Sequence, residues 1–254
     1  MKNFFLIVFA LICIAFLFIG NKHWDERIAG VPALSEGKTA EEPSAAAEEN
    51  NVRPQLSNWP EHAQQRFMNA IEEERDYKVA IIGSTALGKG EDGWSEQLKE
   101  NLTVTFNELD IRIYESETTS VQFMNDAVYG EILEYGPDLV LFEPFTLVNN
   151  LNLVPYERNH EVIMGFYNNL KSANGDVELI LQPSYPLAGA TIYPKQVEKL
   201  KEFAEENGFT FLDHWTAWPE AEELGDYLTD SNESPNDKGH ELWAGFLKDY
   251  FIAE

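Results

Sequence analysis

The feature that most restricts the fold of this chain is a repeated switch between short apolar strands and longer amphipathic helices. Residues 78–83, 111–114, 138–142, 177–182 and 210–212 are runs of β-branched and aromatic residues, which is strand chemistry. Between them, 61–75, 94–102, 121–135, 160–171, 195–207 and 237–251 carry apolar residues at helical spacing. Asn207-Gly208 supplies a helix stop directly before the strand at 210. Strands this apolar are buried on both faces, so the alternation predicts a parallel sheet covered by helices on each side. In such folds the reactive residues stand at the carboxyl ends of the strands.

Charge and cysteine content narrow the chemistry. With 18 basic and 44 acidic residues in 254, the formal charge is −26. Binding to a polyanion needs clustered Lys and Arg, so nucleic acid is excluded as a partner, and anionic headgroups are disfavoured. A single cysteine rules out an internal disulfide framework and any multi-cysteine zinc site. The acidic clusters at 72–74 and 220–223 read as solvated helix faces, so no metal is expected.

The N-terminus reads as an address. An apolar run from Phe4 to Ile19 follows Lys2 and ends at Gly20, somewhat short of the roughly 20 residues that cross a bilayer. No small-residue cleavage pattern follows, and Ile12 before Cys13 does not suit lipidation. Residues 1–20 are therefore expected to form an uncleaved transmembrane signal anchor, with late cleavage as the other option. Residues 21–58, rich in Ala, Glu, Ser and Pro, are expected to be a flexible acidic linker. Residues 59–254 would form one folded domain outside the cytoplasm.

The first loop admits two readings. The strand Val79-Ala80-Ile81-Ile82 runs into Gly83-Ser84-Thr85-Ala86-Leu87-Gly88-Lys89-Gly90. The spacing G-x-x-x-x-G-K is that of a phosphate-binding loop, but Gly90 occupies the place of the magnesium-holding Ser or Thr. The second reading is a hydroxyl nucleophile on the turn after the first strand. On this reading the domain resembles the SGNH/GDSL hydrolases, a flavodoxin-like family of esterases and lipases whose first block ends in Gly-Asp-Ser. Direct alignment puts Ser84 on the family's Asp and Thr85 on its nucleophilic Ser; a one-residue shift makes Ser84 the nucleophile. Ser84 is favoured because a primary hydroxyl attacks with less crowding.

The other blocks follow in order. After the third strand, Glu143-Pro144-Phe145-Thr146-Leu147-Val148-Asn149-Asn150 stands where the family has G-x-N-D. The resemblance implies that Asn149 or Asn150 helps to hold the oxyanion. After the second strand the expected Gly is missing from Glu115-Ser116-Glu117-Thr118-Thr119-Ser120, which leaves the Glu117 amide as the candidate donor. The last block, D-x-x-H-P-N in the family, reads Asp230-Ser231-Asn232-Glu233-Ser234-Pro235-Asn236-Asp237-Lys238-Gly239-His240. Ser234 replaces the usual catalytic His, so His240 becomes the candidate base, oriented by Asp237 or Asp230. Asp213-His214, closing the fifth strand, is a second candidate acid/base pair, and a loop-fixing role is its alternative.

The resemblance implies a three-layer α/β/α sandwich preceded by a transmembrane helix. It implies a membrane-anchored serine esterase acting on ester or O-acetyl groups of a small molecule or surface glycan, working as a monomer without cofactors. The altered blocks keep a second reading open: a catalytically silent domain of this fold that binds surface glycan or a protein partner.

Overall fold

The computed structural model describes residues 52–253, except 91, 230 and 232. The expected anchor and nearly all of the expected linker lie outside the described residues. Among the described residues no helix is long and apolar enough to cross a membrane.

Five parallel strands form one sheet in the order β2-β1-β3-β4-β5: β1 (Tyr77–Gly83), β2 (Leu109–Glu115), β3 (Leu139–Phe142), β4 (Glu178–Leu181) and β5 (Thr210–Phe211). The helices are α1 (Glu61–Glu72), α2 (Trp94–Thr105), α3 (Ser120–Phe123), α4 (Ala127–Tyr135), α5 (Thr146–Leu151), α6 (Tyr156–Ala173), α7 (Tyr193–Asn207) and α8 (Asp237–Phe251). One apolar core joins α1, α2 and α8 to one face of the sheet, and a second joins α3, α4, α6 and α7 to the other. The three-layer architecture expected from strand–helix alternation is therefore present.

All seven residues of β1 except Lys78 are buried, because the strand has neighbours on both sides and helices on both faces. The strand order reverses between β1 and β3, which opens a crevice at their carboxyl ends. The helix expected over 121–135 is two helices. Thr119 and Gln122 form a capping box on α3, and Asp126, accepting from the Val128 N–H at 3.2 Å, restarts the chain as α4.

Residues on both sides of position 58 pack into the domain. Leu56 and Trp59 are buried, and the Trp59 indole donates to the Phe251 carbonyl at 2.8 Å. The ring packs among Phe67, Tyr77, Phe106 and Phe251. Beside it the Ala253 N–H donates to the Gln55 carbonyl, which closes the end of the domain against its beginning.

A buried carboxylate locks the amino end of the central strands. Asp138, preceding β3, accepts from Arg66 at 3.1 Å, from Arg75 at 2.8 Å and from the Lys78 N–H of β1 at 3.0 Å. Its side chain is 4% exposed, whereas Arg66 and Arg75 are partly exposed and keep second partners in Asp176 and Glu73. Asp138→Ala removes charge-assisted bonds to both and to the Lys78 N–H, and is expected to cost about 1.5–3 kcal/mol of stability, read from urea unfolding at neutral pH.

Candidate active site

The site is assembled where β1, β2 and β3 end. β1 runs into a short turn of 3-10 helix, Thr85–Leu87, with Ser84 as its leading residue and Gly88, at φ 66°, closing it. The Leu87 and Gly88 N–H groups bond the carbonyls of Ser84 and Thr85. The two candidate hydroxyls part company here: Ser84 is 3% exposed, whereas Thr85 stands open to solvent.

Ser84 is engaged by a residue that sequence reasoning passed over. Glu143, directly after β3, is fully buried and takes the Ser84 N–H on Oε2 at 2.9 Å and the Thr146 N–H on Oε1 at 3.1 Å. The Ser84 side chain lies beside the same carboxylate and favours its charged form. Burial pushes the Glu143 carboxyl above its ordinary value, and the Ser84 side chain and N–H donors pull it only part of the way back. The close approach depends on Gly83, where a Cβ would lie 2.8 Å from the Glu143 Cβ. The signal was in the sequence: one acid, followed by Pro, at the end of a wholly apolar strand.

His240 approaches the same turn from α8. Asn236 caps that helix by accepting the Lys238 and Gly239 N–H groups, and its amide also holds the Leu228 carbonyl at 2.8 Å. The Pro-Asn-x-x-Gly-His pattern thereby sets where the imidazole stands. A Cβ on Gly88 would lie 3.0 Å from the His240 Cε1 and 3.3 Å from Nε2, so the ring lies against the turn that carries Thr85. Its Nδ1 accepts the Trp94 N–H at 3.2 Å. A neutral ring in this contact carries its proton on Nε2, the tautomer of a donor. Nδ1, the atom an orienting carboxylate would grip, is thus taken by main chain. Asp237 is exposed on the first turn of α8, and Asp230 lies outside the described residues.

The expected oxyanion donors lie on α5 and on the loop after β2. Asn149, buried on α5, accepts the Ser120 N–H and donates to the Ser120 hydroxyl, each at 3.0 Å. Its amide braces the loop after β2 against α5. Asn150 is half-buried on the same helix, and Glu117 is exposed on the loop after β2.

Beneath the turn runs an aromatic column. The His214 ring stacks on Trp243 at 4.1 Å, and Trp243 stacks on Trp94 at 4.6 Å. Trp243 donates to the Gln182 side chain after β4, and the Trp94 indole donates to the Ala86 carbonyl of the turn. His214 is not half of an acid/base pair. It is fully buried, with Nε2 against the Pro183 carbonyl at 3.0 Å and Nδ1 accepting from the Trp218 indole at 2.9 Å. Asp213 instead pairs with Lys201. The loop-fixing alternative is the one realised.

With this geometry in hand, comparison with solved structures places the fold. A protein of Desulfitobacterium hafniense assigned to the G-D-S-L lipolytic family superposes with a TM-score of 0.56 at 18% identity, over 69% of this chain and 99% of that one. A catalytic variant of an acetylxylan esterase from Geobacillus stearothermophilus gives 0.56 at 18% identity, over 70% and 94%. A GDSL-like lipase of Parabacteroides merdae gives 0.56 at 14%, over 70% and 96%. No family model and no curated protein matches the sequence. The chain has the α/β fold of GDSL-type lipases and esterases.

Burial holds the His214 ring neutral, with its pKa lowered to about 3. The unfolded chain takes up this proton near pH 6.5, whereas the folded chain takes it up only near 3. The stabilisation is therefore complete above about pH 6.5 and is lost as the pH falls. Between pH 6.5 and 5 the loss is expected to be about 2 kcal/mol in urea unfolding, and His214→Gln is expected to flatten that slope.

Proposed function

We propose that this domain is an ester hydrolase in which Thr85 is the nucleophile and His240 moves the proton. The observation that carries this reading is the exposed Thr85 hydroxyl on the turn after β1, beside the β1/β3 crevice, in a fold shared with GDSL esterases. Reactivity alone favours the primary hydroxyl of Ser84, but its burial beside Glu143 moves the assignment one residue on.

In the acylation step the Thr85 oxygen bonds the ester carbonyl carbon while its proton passes to His240. The carbon–alkoxide bond then breaks, and the alcohol leaves with that proton. Water repeats the sequence on the acyl-enzyme and releases the acid. Taking the proton at Nε2 requires His240 to carry its own proton on Nδ1, so the Trp94 contact must open during the cycle. The resting site is unprimed.

An acetylxylan esterase among the structural neighbours makes an O-acetylated glycan the favoured substrate class. The apolar segment 4–20 supports a place outside the cytoplasm, tethered to the membrane. The rival reading, a silent glycan- or protein-binding domain, draws on the occupied Nδ1 of His240 and on the Asn149 amide held by Ser120.

Covalent labelling of the full chain with a fluorophosphonate probe and peptide mapping separates the two. The label is expected on Thr85, lost in Thr85→Ala and slowed about 10²–10⁴-fold in His240→Ala. A label on Ser84 would return the nucleophile to the first assignment. No label on folded protein would establish the silent domain.

A further inference from the structure

The Glu143 corner combines two unfavourable features. A carboxylate is fully buried there, and Phe145, two residues on, is held at φ 58° although it is not glycine. Phe145 is locked by aromatic contacts, with ring centroids 5.0 Å from Phe123 and 5.9 Å from Phe142. The corner is therefore rigid, and it delivers the carboxylate to one place only, under Ser84. Strain and a buried acid maintained together at the end of a strand are the mark of a site, not of a core. The acid that the Gly-Asp-Ser pattern carries at 84 is a hydroxyl here, and an acid stands instead at 143, across the crevice after β3.

We propose that Glu143 is the positioning residue of the site: its carboxylate, gripping the Ser84 N–H, holds the 84–88 turn so that Thr85 faces the crevice. This rests on the reading of Thr85 as the reacting hydroxyl. Glu143 acts through Ser84 and touches no reacting atom. The titratable groups around the carboxyl are Tyr185 and Tyr193, both buried and both with pKa values raised by burial and by Glu143 itself, so they stay neutral.

The test is a double-mutant cycle that moves the acid back: Ser84→Asp, Glu143→Gly and the two combined, in the full chain. The primary readout is amide hydrogen exchange at Leu87 and Gly88, whose N–H groups close the turn. Each single variant is expected to speed exchange there by about ten-fold or more, and the double variant to recover most of it. The rate of Thr85 labelling is expected to follow the same pattern. If the double variant shows the sum of the single losses, the proposal is wrong. Recovery of exchange without recovery of labelling would leave Glu143 a merely structural residue and also overturn it. Absence of label on the wild-type chain would instead remove the esterase reading, while the exchange cycle still decides whether the carboxylate holds the turn. Glu143→Gln covers the case in which a single variant fails to fold: it keeps the shape, removes the charge and is expected to speed exchange at the same two amides by about ten-fold. Unchanged exchange in it would sink the proposal.

Discussion

The structure depends on a four-residue strand with a buried carboxylate at each end. β3 is short, apolar and central, and a strand of that kind has little besides its ends to fix its register. At the amino end Asp138 collects two arginines and an N–H of β1. At the carboxyl end Glu143 collects the N–H of Ser84, directly after β1, and that of Thr146 in its own corner. The two acids are held differently. The first is neutralised by opposite charge, which makes it a clamp. The second meets only dipoles, and burial pushes its carboxyl above the ordinary value.

The turn that carries Thr85 is held from two directions. Glu143 holds its leading residue from the β3 side, and Trp94 holds the Ala86 carbonyl from the α2 side. Trp94 is itself the end of the column that continues through Trp243 to His214. The main-chain N–H of the same residue occupies His240 Nδ1. One residue thus supports the 84–88 turn with its ring and sets the imidazole tautomer with its backbone, so the residue that occupies His240 is also the end of the aromatic column.

Most of the architecture was legible because it follows from patterning. All five strands and the long helices lie where apolar periodicity placed them, within a few residues. The one divided helix was marked by Asn125-Asp126, a capping pair that periodicity overlooks. The site was legible only in its order along the chain. Gly83-Ser84-Thr85 drew attention to the turn after β1, but no spacing rule says which of two adjacent hydroxyls faces inward; Ser84 is the buried one, its N–H held by a carboxylate 59 positions away. His240 was found by its motif, yet its tautomer is set by a main-chain N–H, which every residue type but proline carries. Glu143 was passed over because reasoning by motif looks for the residue that should be present. The informative residue stood in a block where the motif itself was altered.

The domain's beginning and end meet at one pole. Trp59 bonds the Phe251 carbonyl and Gln55 receives the Ala253 N–H, both near Tyr77 at the amino end of β1, while Thr85 lies at the opposite end of that strand. Residues 55 and 253 therefore lie at the pole facing away from the crevice. Such a layout suits circular permutation of the described domain: a short peptide bridge between these two positions would follow a path the hydrogen bonds already trace.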